Sequence, residues 1–191
     1  MTITIIKRQY DLIVKHATES FPSEAGGFIG GKEDIILGIF PVPNFEKWFH
    51  KDKIAFMWDE ITKNEVESIF FRYNLKTIGL YHSHPNGIAY PSIQDFLAHK
   101  EYGLKISIIA GIQKGKLNKM NAFVMPEPNE EEYKRREFKK EELQIIEDFE
   151  LEYFLKQKEL EKEIKSETQK YIEEQEKLKK TVESILNKSN R

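Results

Sequence analysis

Two histidines one residue apart place the strongest constraint on how this chain can fold. His82 and His84 follow the apolar segment Lys76–Tyr81, which predicts a β-strand. Side chains alternate along a strand with a period of two, so both rings are expected on the same side. Ser92 and Asp95 follow with the spacing of a helix-capping box. A fold in which these side chains meet must bring the end of a strand next to the start of a helix.

The three side chains His82, His84 and Asp95 have the ligand types of a catalytic zinc site. Two imidazoles and one carboxylate leave a fourth tetrahedral position open to water. Capping alone would explain Ser92 and Asp95, but it would not explain the two histidines. A carboxylate in a first helical turn also projects beside the preceding loop. We therefore expect one Zn²⁺ per chain, held by these three residues.

A hydrolase with two metals, such as a phosphoesterase built on a His-x-His pair, is a rival interpretation. Such sites generally need further histidine and aspartate ligands. Only His16, His50 and His99 remain in this chain, and none belongs to a second motif. His16 is expected to be a packed or partly exposed helix residue.

The motif His82-x-His84-Pro85, with Ser92 and Asp95, resembles the JAMM motif of the JAB1/MPN/Mov34 metalloprotease family without a gap or substitution. The segment Pro22–Gly30 is similar to the family's upstream segment, which carries a glutamate at the position of Glu24. The resemblance implies that Glu24 is the general base and that Ser92 donates a hydrogen bond to the developing oxyanion.

From the residues alone, the position of the base stays open among several carboxylates. Glu19, Glu33 and Glu46 lie near Glu24 in the sequence. Glu24 is favoured because it stands at the mouth of a Gly-rich strand, where close backbone packing can hold it rigidly. Without the family resemblance, Glu24 reads as an exposed loop carboxylate.

The family cleaves amide bonds after the C-terminal glycines of ubiquitin or ubiquitin-like proteins. The resemblance implies a zinc-dependent peptidase or isopeptidase whose partner is a ubiquitin-like or sulfur-carrier protein with a Gly-Gly tail. Many family members have lost the metal ligands and serve as scaffolds, so the alternative is a non-catalytic MPN-type scaffold or interaction module that uses the helical C-terminus. Glu24 and the complete ligand set favour an enzyme.

Helices that alternate with strands over residues 1–126 predict an α/β (α+β) domain. The order of elements resembles the MPN/JAB1 fold, a curved mixed β-sheet flanked by helices. A Gly-rich strand is expected to end in a turn at Gly30–Lys32, and Pro41 is expected to break the strand that follows. In the helix that starts at Ser92, Phe96 and Leu97 are expected to face inward and His99 outward. The predicted strands are 2–6, 26–30, 34–40, 53–58, 76–81, 105–112 and 118–125, and the predicted helices are 8–21, 59–74 and 92–102.

The chain changes character after residue 126. About half of residues 127–191 are charged, and this part contains no glycine. It predicts a long charged helical extension that starts at Asn129-x-x-Glu132. An apolar stripe and a weak heptad seam from Ile164 to Ile185 predict self-association or a partner helix over 143–185, or a helix that packs back on the domain. The stripe comprises Leu143, Ile146, Phe149, Tyr153 and Phe154.

The composition of the chain limits the kinds of partner that we expect it to have. The net charge is −2 with both signs interspersed, so no nucleic-acid partner is expected. There is no cysteine, which excludes disulfides and cysteine-ligated zinc sites. The N-terminal residues lack the features of a secretory signal, and no apolar stretch has the length of a membrane span. We therefore expect no membrane partner and a cytoplasmic location.

Overall fold

A computed structural model describes residues 1–42, 44, 60–152 and 155 of the chain. Strands and helices alternate through most of this part, as the sequence predicts. In chain order the elements are β1 (Thr2–Ile6), α1 (Lys7–Ser20), β2 (Gly26–Lys32), β3 (Ile35–Val42), α2 (Glu60–Arg72), β4 (Lys76–His84), α3 (Ile93–Tyr102), β5 (Ile106–Gln113), β6 (Lys116–Val124), α4 (Glu131–Arg135) and β7 (Lys139–Ile146).

The described strands form one closed sheet in the order β1-β3-β2-β4-β5-β6-β7. β1 runs parallel to both β3 and β7, and β4 runs parallel to β5. The remaining pairs are antiparallel. The predicted α+β class and curved mixed sheet are confirmed, and the curvature continues until the sheet closes. Because parallel strands need a crossover connection, the chain between β4 and β5 holds a loop and α3.

The main core lies between α1 and the sheet. Ile13 and Ala17 of α1 are buried in it. Close backbone approach in the Gly-rich strand is also confirmed, because a Cβ atom on Gly27 would lie 2.2 Å from the carbonyl oxygen of Phe40. Only glycine fits that position in β2.

The predicted turn at Gly30–Lys32 is wrong. β2 continues to Lys32, and the turn falls at Glu33 and Asp34, where Glu33 has a φ of 54°. Gly31 is required inside the strand instead, because a Cβ atom there would lie 2.1 Å from the carbonyl oxygen of Ile35. Gly31 therefore allows β2 and β3 to approach each other closely and does not form the turn.

The predicted break at Pro41 is also wrong, because β3 extends through Pro41 to Val42. Pro41 pairs with Gly27 of β2. Among the described residues, β3 pairs with β1 only at Ile35 and Ile36. Pro41 therefore lies on an edge of β3, where a residue without an N–H group is tolerated.

The predicted second helix is present as α2, which buries Val66 and Phe70. The predicted strand at 53–58 and residue 59, the predicted start of this helix, lie outside the described residues, as does His50.

The orientation predicted for α3 is partly wrong. Phe96 is buried as expected, but Leu97 is 45% exposed and His99 is only 1% exposed. Residues three apart share a helix face, so Phe96 and His99 point together toward the sheet. The prediction failed because it treated a histidine as a surface residue.

The charged segment after residue 126 is not helical throughout. Asn129 does not cap a helix; the short helix α4 has Glu130 at its N-cap position. Residues 139–146, predicted to be helical, form β7, which pairs with β1 and β6 and closes the sheet. Burial along β7 alternates from Lys139 to Gln144, with Leu143 half-buried, and the alternation ends there because Ile145 is exposed and Ile146 is buried. Pairing with two neighbouring strands therefore overrides the helix preference of its lysines and glutamates.

The chain divides into two compact units, Met1–Asp148 and Phe149–Arg191. The predicted boundary after residue 126 falls before β7. The helix predicted over 143–185 is wrong for residues 143–146, which belong to β7, while self-association or a partner helix stays a prediction. Tyr153, Phe154 and the heptad seam lie outside the described residues. Within the part that the structure describes, no helix combines the length and apolar character needed to cross a membrane.

Candidate metal centre

The two histidines lie at the C-terminal end of β4. The strand continues through His84, so both rings point to the same side, as the alternation predicts. Their Nε2 atoms are 3.0 Å apart. Asp95, in the first turn of α3, places Oδ1 3.1 Å from Nε2 of His82 and Oδ2 4.0 Å from Nε2 of His84. The end of a strand and the start of a helix thus bring three potential ligands together.

Asp95 caps α3 and faces the histidines at the same time. Its Oδ2 accepts hydrogen bonds from the Ser92 N–H at 2.5 Å and from the Ser92 hydroxyl at 2.8 Å. The Asp95 N–H donates to the Ser92 hydroxyl oxygen at 3.3 Å, which completes a capping box. Oδ1 points to His82. The predicted capping box is confirmed, and it orients the carboxylate for a second role.

The loop after β4 determines which nitrogen of His84 carries the proton. Nδ1 of His84 lies 2.9 Å from the carbonyl oxygen of Ile88. A carbonyl oxygen only accepts hydrogen bonds, so Nδ1 is the donor. In the neutral ring, Nε2 then presents its lone pair to His82 and Asp95. This is the tautomer that a metal ligand requires.

The three groups shift one another's pKa. Burial lowers the pKa of His82, but the charge and hydrogen bond of Asp95, together with the charge of Glu24, outweigh it and raise the pKa above 6.5. Burial and the neighbouring His82 lower the pKa of His84. Burial opposes ionisation of Asp95, but His82 and the two Ser92 hydrogen bonds hold its pKa far below the ordinary value. Asp95 is therefore ionised and His84 neutral at pH 7.

The donor set fits a zinc ion. Two ligands on a tetrahedral Zn²⁺ with bonds of 2.0–2.1 Å stand about 3.3 Å apart. The Nε2–Nε2 distance of 3.0 Å and the Nε2–Oδ1 distance of 3.1 Å are close to that spacing. Two imidazole lone pairs at such a distance repel unless a proton or a cation lies between them. Among the described residues, His82, His84 and Asp95 form a group that could hold a metal ion.

Glu24 and Ser92 reach the same place. A cavity of about 640 Å³ is lined by Glu24, Ser92 and the three potential ligands. The structure thus brings together all five residues singled out in the sequence; their chemical roles stay predictions. Of the alternative carboxylates, Glu19 and Glu33 do not line this cavity, and Glu46 lies outside the described residues.

Ser83, between the two histidines, ties the Glu24 segment to β4. Its N–H donates to the carbonyl oxygen of Ala25 at 2.8 Å, and its hydroxyl oxygen accepts the Ala25 N–H at 2.9 Å. Both contacts are buried. Nothing local in the sequence indicates that Ser83 has a partner 58 residues away.

The other described histidines have different partners. Nδ1 of His16 lies 2.7 Å from the hydroxyl of Tyr81, whose pKa is raised by burial, so His16 is a packed helix residue as expected. His99 lies between the carbonyl oxygens of Asp95 and Ile106, at 3.0 and 3.1 Å. His50 is outside the described residues. Within the described part of the chain, no second group with a metal-ligand arrangement accompanies the first.

Sequence comparison identifies a family for most of the folded region. The family model of prokaryotic homologs of the JAB domain matches residues 7–125. An MPN domain-containing protein of Mus musculus is 34% identical over 90 residues, which are 44% of this chain and 17% of that protein. Its human counterpart is 33% identical over 90 residues, 44% of this chain and 18% of that protein. The chain thus spans less than a fifth of the length of these relatives.

Solved structures share the fold. The solution structure of a Desulfitobacterium hafniense protein has a TM-score of 0.58 and 20% identity, and covers 78% of this chain and 94% of its own. A Salinibacter ruber protein has a TM-score of 0.54 and 17% identity, and covers 75% of this chain and 92% of its own. At these identities the likeness concerns the fold alone.

Proposed function

Because the chain belongs to the family of prokaryotic homologs of the JAB domain, we propose that it is a zinc-dependent peptidase or isopeptidase. The observation that carries this proposal is the convergence of His82, His84 and Asp95 with Glu24 and Ser92 on one cavity. A scaffold that had lost catalysis would have no need of a base and an oxyanion donor beside a complete ligand set.

Neighbouring groups hold two of the potential metal ligands in the state needed to bind a metal ion. The Ile88 carbonyl keeps the Nε2 lone pair of His84 available, and Ser92 holds the carboxylate of Asp95. Zn²⁺ bound there would supply the Lewis acidity that makes water a nucleophile near neutral pH.

Glu24 is assigned the proton transfers. Its carboxylate lines the cavity and is close enough to act electrostatically on His82. It takes a proton from the attacking water and delivers that proton to the leaving amine. A positioned general base typically contributes about 10²- to 10⁴-fold to the rate.

Ser92 is assigned to the carbonyl oxygen of the scissile amide. In the structure its hydroxyl donates to Asp95 Oδ2, while its N–H donates to the same oxygen. The hydroxyl can turn to the substrate because the N–H keeps Asp95 in place. One such donor is worth roughly 3 kcal/mol of the barrier.

The proposed substrate is a ubiquitin-like or sulfur-carrier protein with a Gly-Gly tail, cut after the last glycine. The family resemblance supports this class. An extended glycine tail also suits the cavity physically, because residues without side chains can approach the reacting groups closely. The bond is a peptide bond or an isopeptide bond to lysine.

The experiment compares zinc content with cleavage. Zinc-loaded protein is incubated with a ubiquitin-like domain ending in Gly-Gly, joined to a reporter through a peptide or an isopeptide bond. Glu24→Gln should keep one zinc per chain and lose about 10²- to 10⁴-fold in kcat. Glu19→Gln, at a carboxylate with 65% side-chain exposure, is the matched control and should cleave normally.

Three results would count against the proposal. Normal cleavage by Glu24→Gln would remove the assigned base. One zinc per chain without cleavage of either bond would favour the scaffold alternative. Two zinc ions per chain would favour a two-metal hydrolase.

A further inference from the structure

The loop between His84 and Ser92 is held at three consecutive carbonyl groups. The Gly87 oxygen accepts a hydrogen bond from Nδ2 of Asn118 at 3.0 Å, and the Ala89 oxygen accepts one from Nδ2 of Asn121 at 2.7 Å. Between them, the Ile88 oxygen accepts a hydrogen bond from Nδ1 of His84. Two asparagines of β6 thus flank the carbonyl that sets the tautomer of a metal ligand.

A β-bulge lets both asparagines face this loop. Residues three apart on a regular strand point to opposite sides of the sheet. Opposite β6, Gly111 pairs with Lys119 but Ile112 pairs with Leu117, so Asn118 is one extra residue on β6. The extra residue reverses the alternation, as bulges next to functional sites do. Asn118 and Asn121 therefore reach the same loop.

The neighbouring strand leaves room for the loop at one glycine. A Cβ atom on Gly111 of β5 would lie 2.4 Å from the Gly87 oxygen and 3.0 Å from the Ala89 nitrogen. Farther along β6, the ring of Phe123 packs edge-on against Tyr90 at 5.3 Å between centroids. The β5–β6 hairpin therefore packs against the loop along its length.

We propose that Asn118 and Asn121 are positioning residues of the metal centre: they fix the loop so that the Ile88 carbonyl keeps the His84 proton on Nδ1 and leaves Nε2 for the metal. This inference rests on the proposed function for the use of the site. The effect on His84 itself is present in the protein without metal. Neither asparagine lines the cavity that holds the potential metal ligands.

The test replaces each asparagine by leucine, which has nearly the same shape but no donor. Lys119→Leu, on the same strand between them, is the matched control. The first measurement is the ¹⁵N spectrum of the His84 ring in zinc-free protein. The second is Zn²⁺ affinity from competition with a chelator. Urea unfolding of each variant identifies conditions in which all are folded.

In the wild type and in Lys119→Leu, His84 should carry its proton on Nδ1. In Asn118→Leu/Asn121→Leu it should show a mixture of tautomers, and Zn²⁺ affinity should fall about 10-fold, the lower end for substitutions outside the ligand shell. Each single variant should show a smaller shift, which keeps the test valid if the double variant does not fold. Gly111→Ala should act in the same direction by displacing the loop.

An unchanged tautomer together with Zn²⁺ affinity within twofold of wild type would overturn the inference, even if the variants were less stable. A changed tautomer in a protein that cleaves no Gly-Gly-tailed substrate would instead uphold the positioning role and refute the proposed activity.

Discussion

Asp95→Asn separates the two roles of one carboxylate. The amide oxygen of asparagine can take the place of Oδ2 and accept the Ser92 N–H, so the helix cap is retained. The amide nitrogen then takes the place of Oδ1, 3.1 Å from Nε2 of His82. The variant should fold, but it presents a neutral group where Asp95 presents an anionic ligand.

The magnitude follows from the contacts that change. Hydrogen bonds to a charged group contribute about 1.5–3 kcal/mol and neutral ones about 0.5–1.5 kcal/mol, so each replacement costs roughly 1 kcal/mol. Three contacts of Asp95 become neutral: the one with His82 and the two from the Ser92 N–H and hydroxyl. The unfolding free energy of the zinc-free protein should therefore fall by about 3 kcal/mol. Zn²⁺ affinity should fall by more than the 100-fold that a substitution outside the ligand shell can cost.

The stability difference should depend on pH in a defined direction. The pKa of Asp95 is depressed, so its contribution is present above the ordinary value of 3.8 and is lost as the pH falls toward the folded value. The pKa of His82 is raised, so its contribution is complete below 6.5 and is lost as the pH rises through the folded value. The difference between wild type and variant should be largest between about pH 4 and 6.5.

Urea unfolding of chelator-treated protein across this pH range measures the stability term, and competition with a chromophoric chelator measures Zn²⁺ affinity. Asp11→Asn is the matched control, because Asp11 makes only a surface pair with Lys7. If Asp95→Asn binds Zn²⁺ within tenfold of wild type, Asp95 is not a ligand. A stability difference that does not vary with pH would refute the His82–Asp95 pair.

Three further predictions concern the groups around the ligands. Ser92→Ala should cost about 1 kcal/mol of stability and about 10²- to 10³-fold in kcat, but it should keep zinc because Asp95 Oδ1 still faces His82. Ser92→Thr retains the hydroxyl and should stay active. Loss of zinc in Ser92→Ala would contradict the role assigned to Ser92. Ser83→Ala should lower the unfolding free energy in urea by about 1–3 kcal/mol, because the buried Ala25 N–H loses its acceptor; an unchanged midpoint would argue against the contact. As the pH is lowered, Zn²⁺ binding should begin to weaken while the pH is still above 6.5, because the pKa of His82 is raised and protons compete with the metal for Nε2. A Zn²⁺ affinity that stays constant from pH 8 to 6 in a chelator titration would exclude His82 as a ligand.

Much of the candidate site could be predicted from the sequence because the patterns that indicate it are local. His82 and His84 lie on one strand, and Ser92 and Asp95 lie in one helical turn, so a period and a capping pattern predict their orientation. Glu24 was different, because only a family resemblance linked it to a motif almost 60 residues later. The structure places it in the same cavity.

Long-range pairing explains the errors. Residues 139–146 carry lysines and glutamates that favour a helix, yet they form β7 because β1 and β6 pair with them on both sides. His99 was expected on the surface, yet it is buried between two carbonyl groups that lie near it only after α3 packs on β5.

The sequence by itself determined the chemical content of the site: two imidazoles on one face of a strand, a capping carboxylate at a helix start, and the order of strands and helices around them. Tertiary structure alone decided which residues distant in the chain hold those groups in place. The closure of the sheet, the contact of Ser83 with Ala25 and the bulge that turns Asn118 and Asn121 to one loop all join residues distant in the chain. Their physical cause is the need to satisfy backbone donors and acceptors across strands, which local sequence patterns do not record.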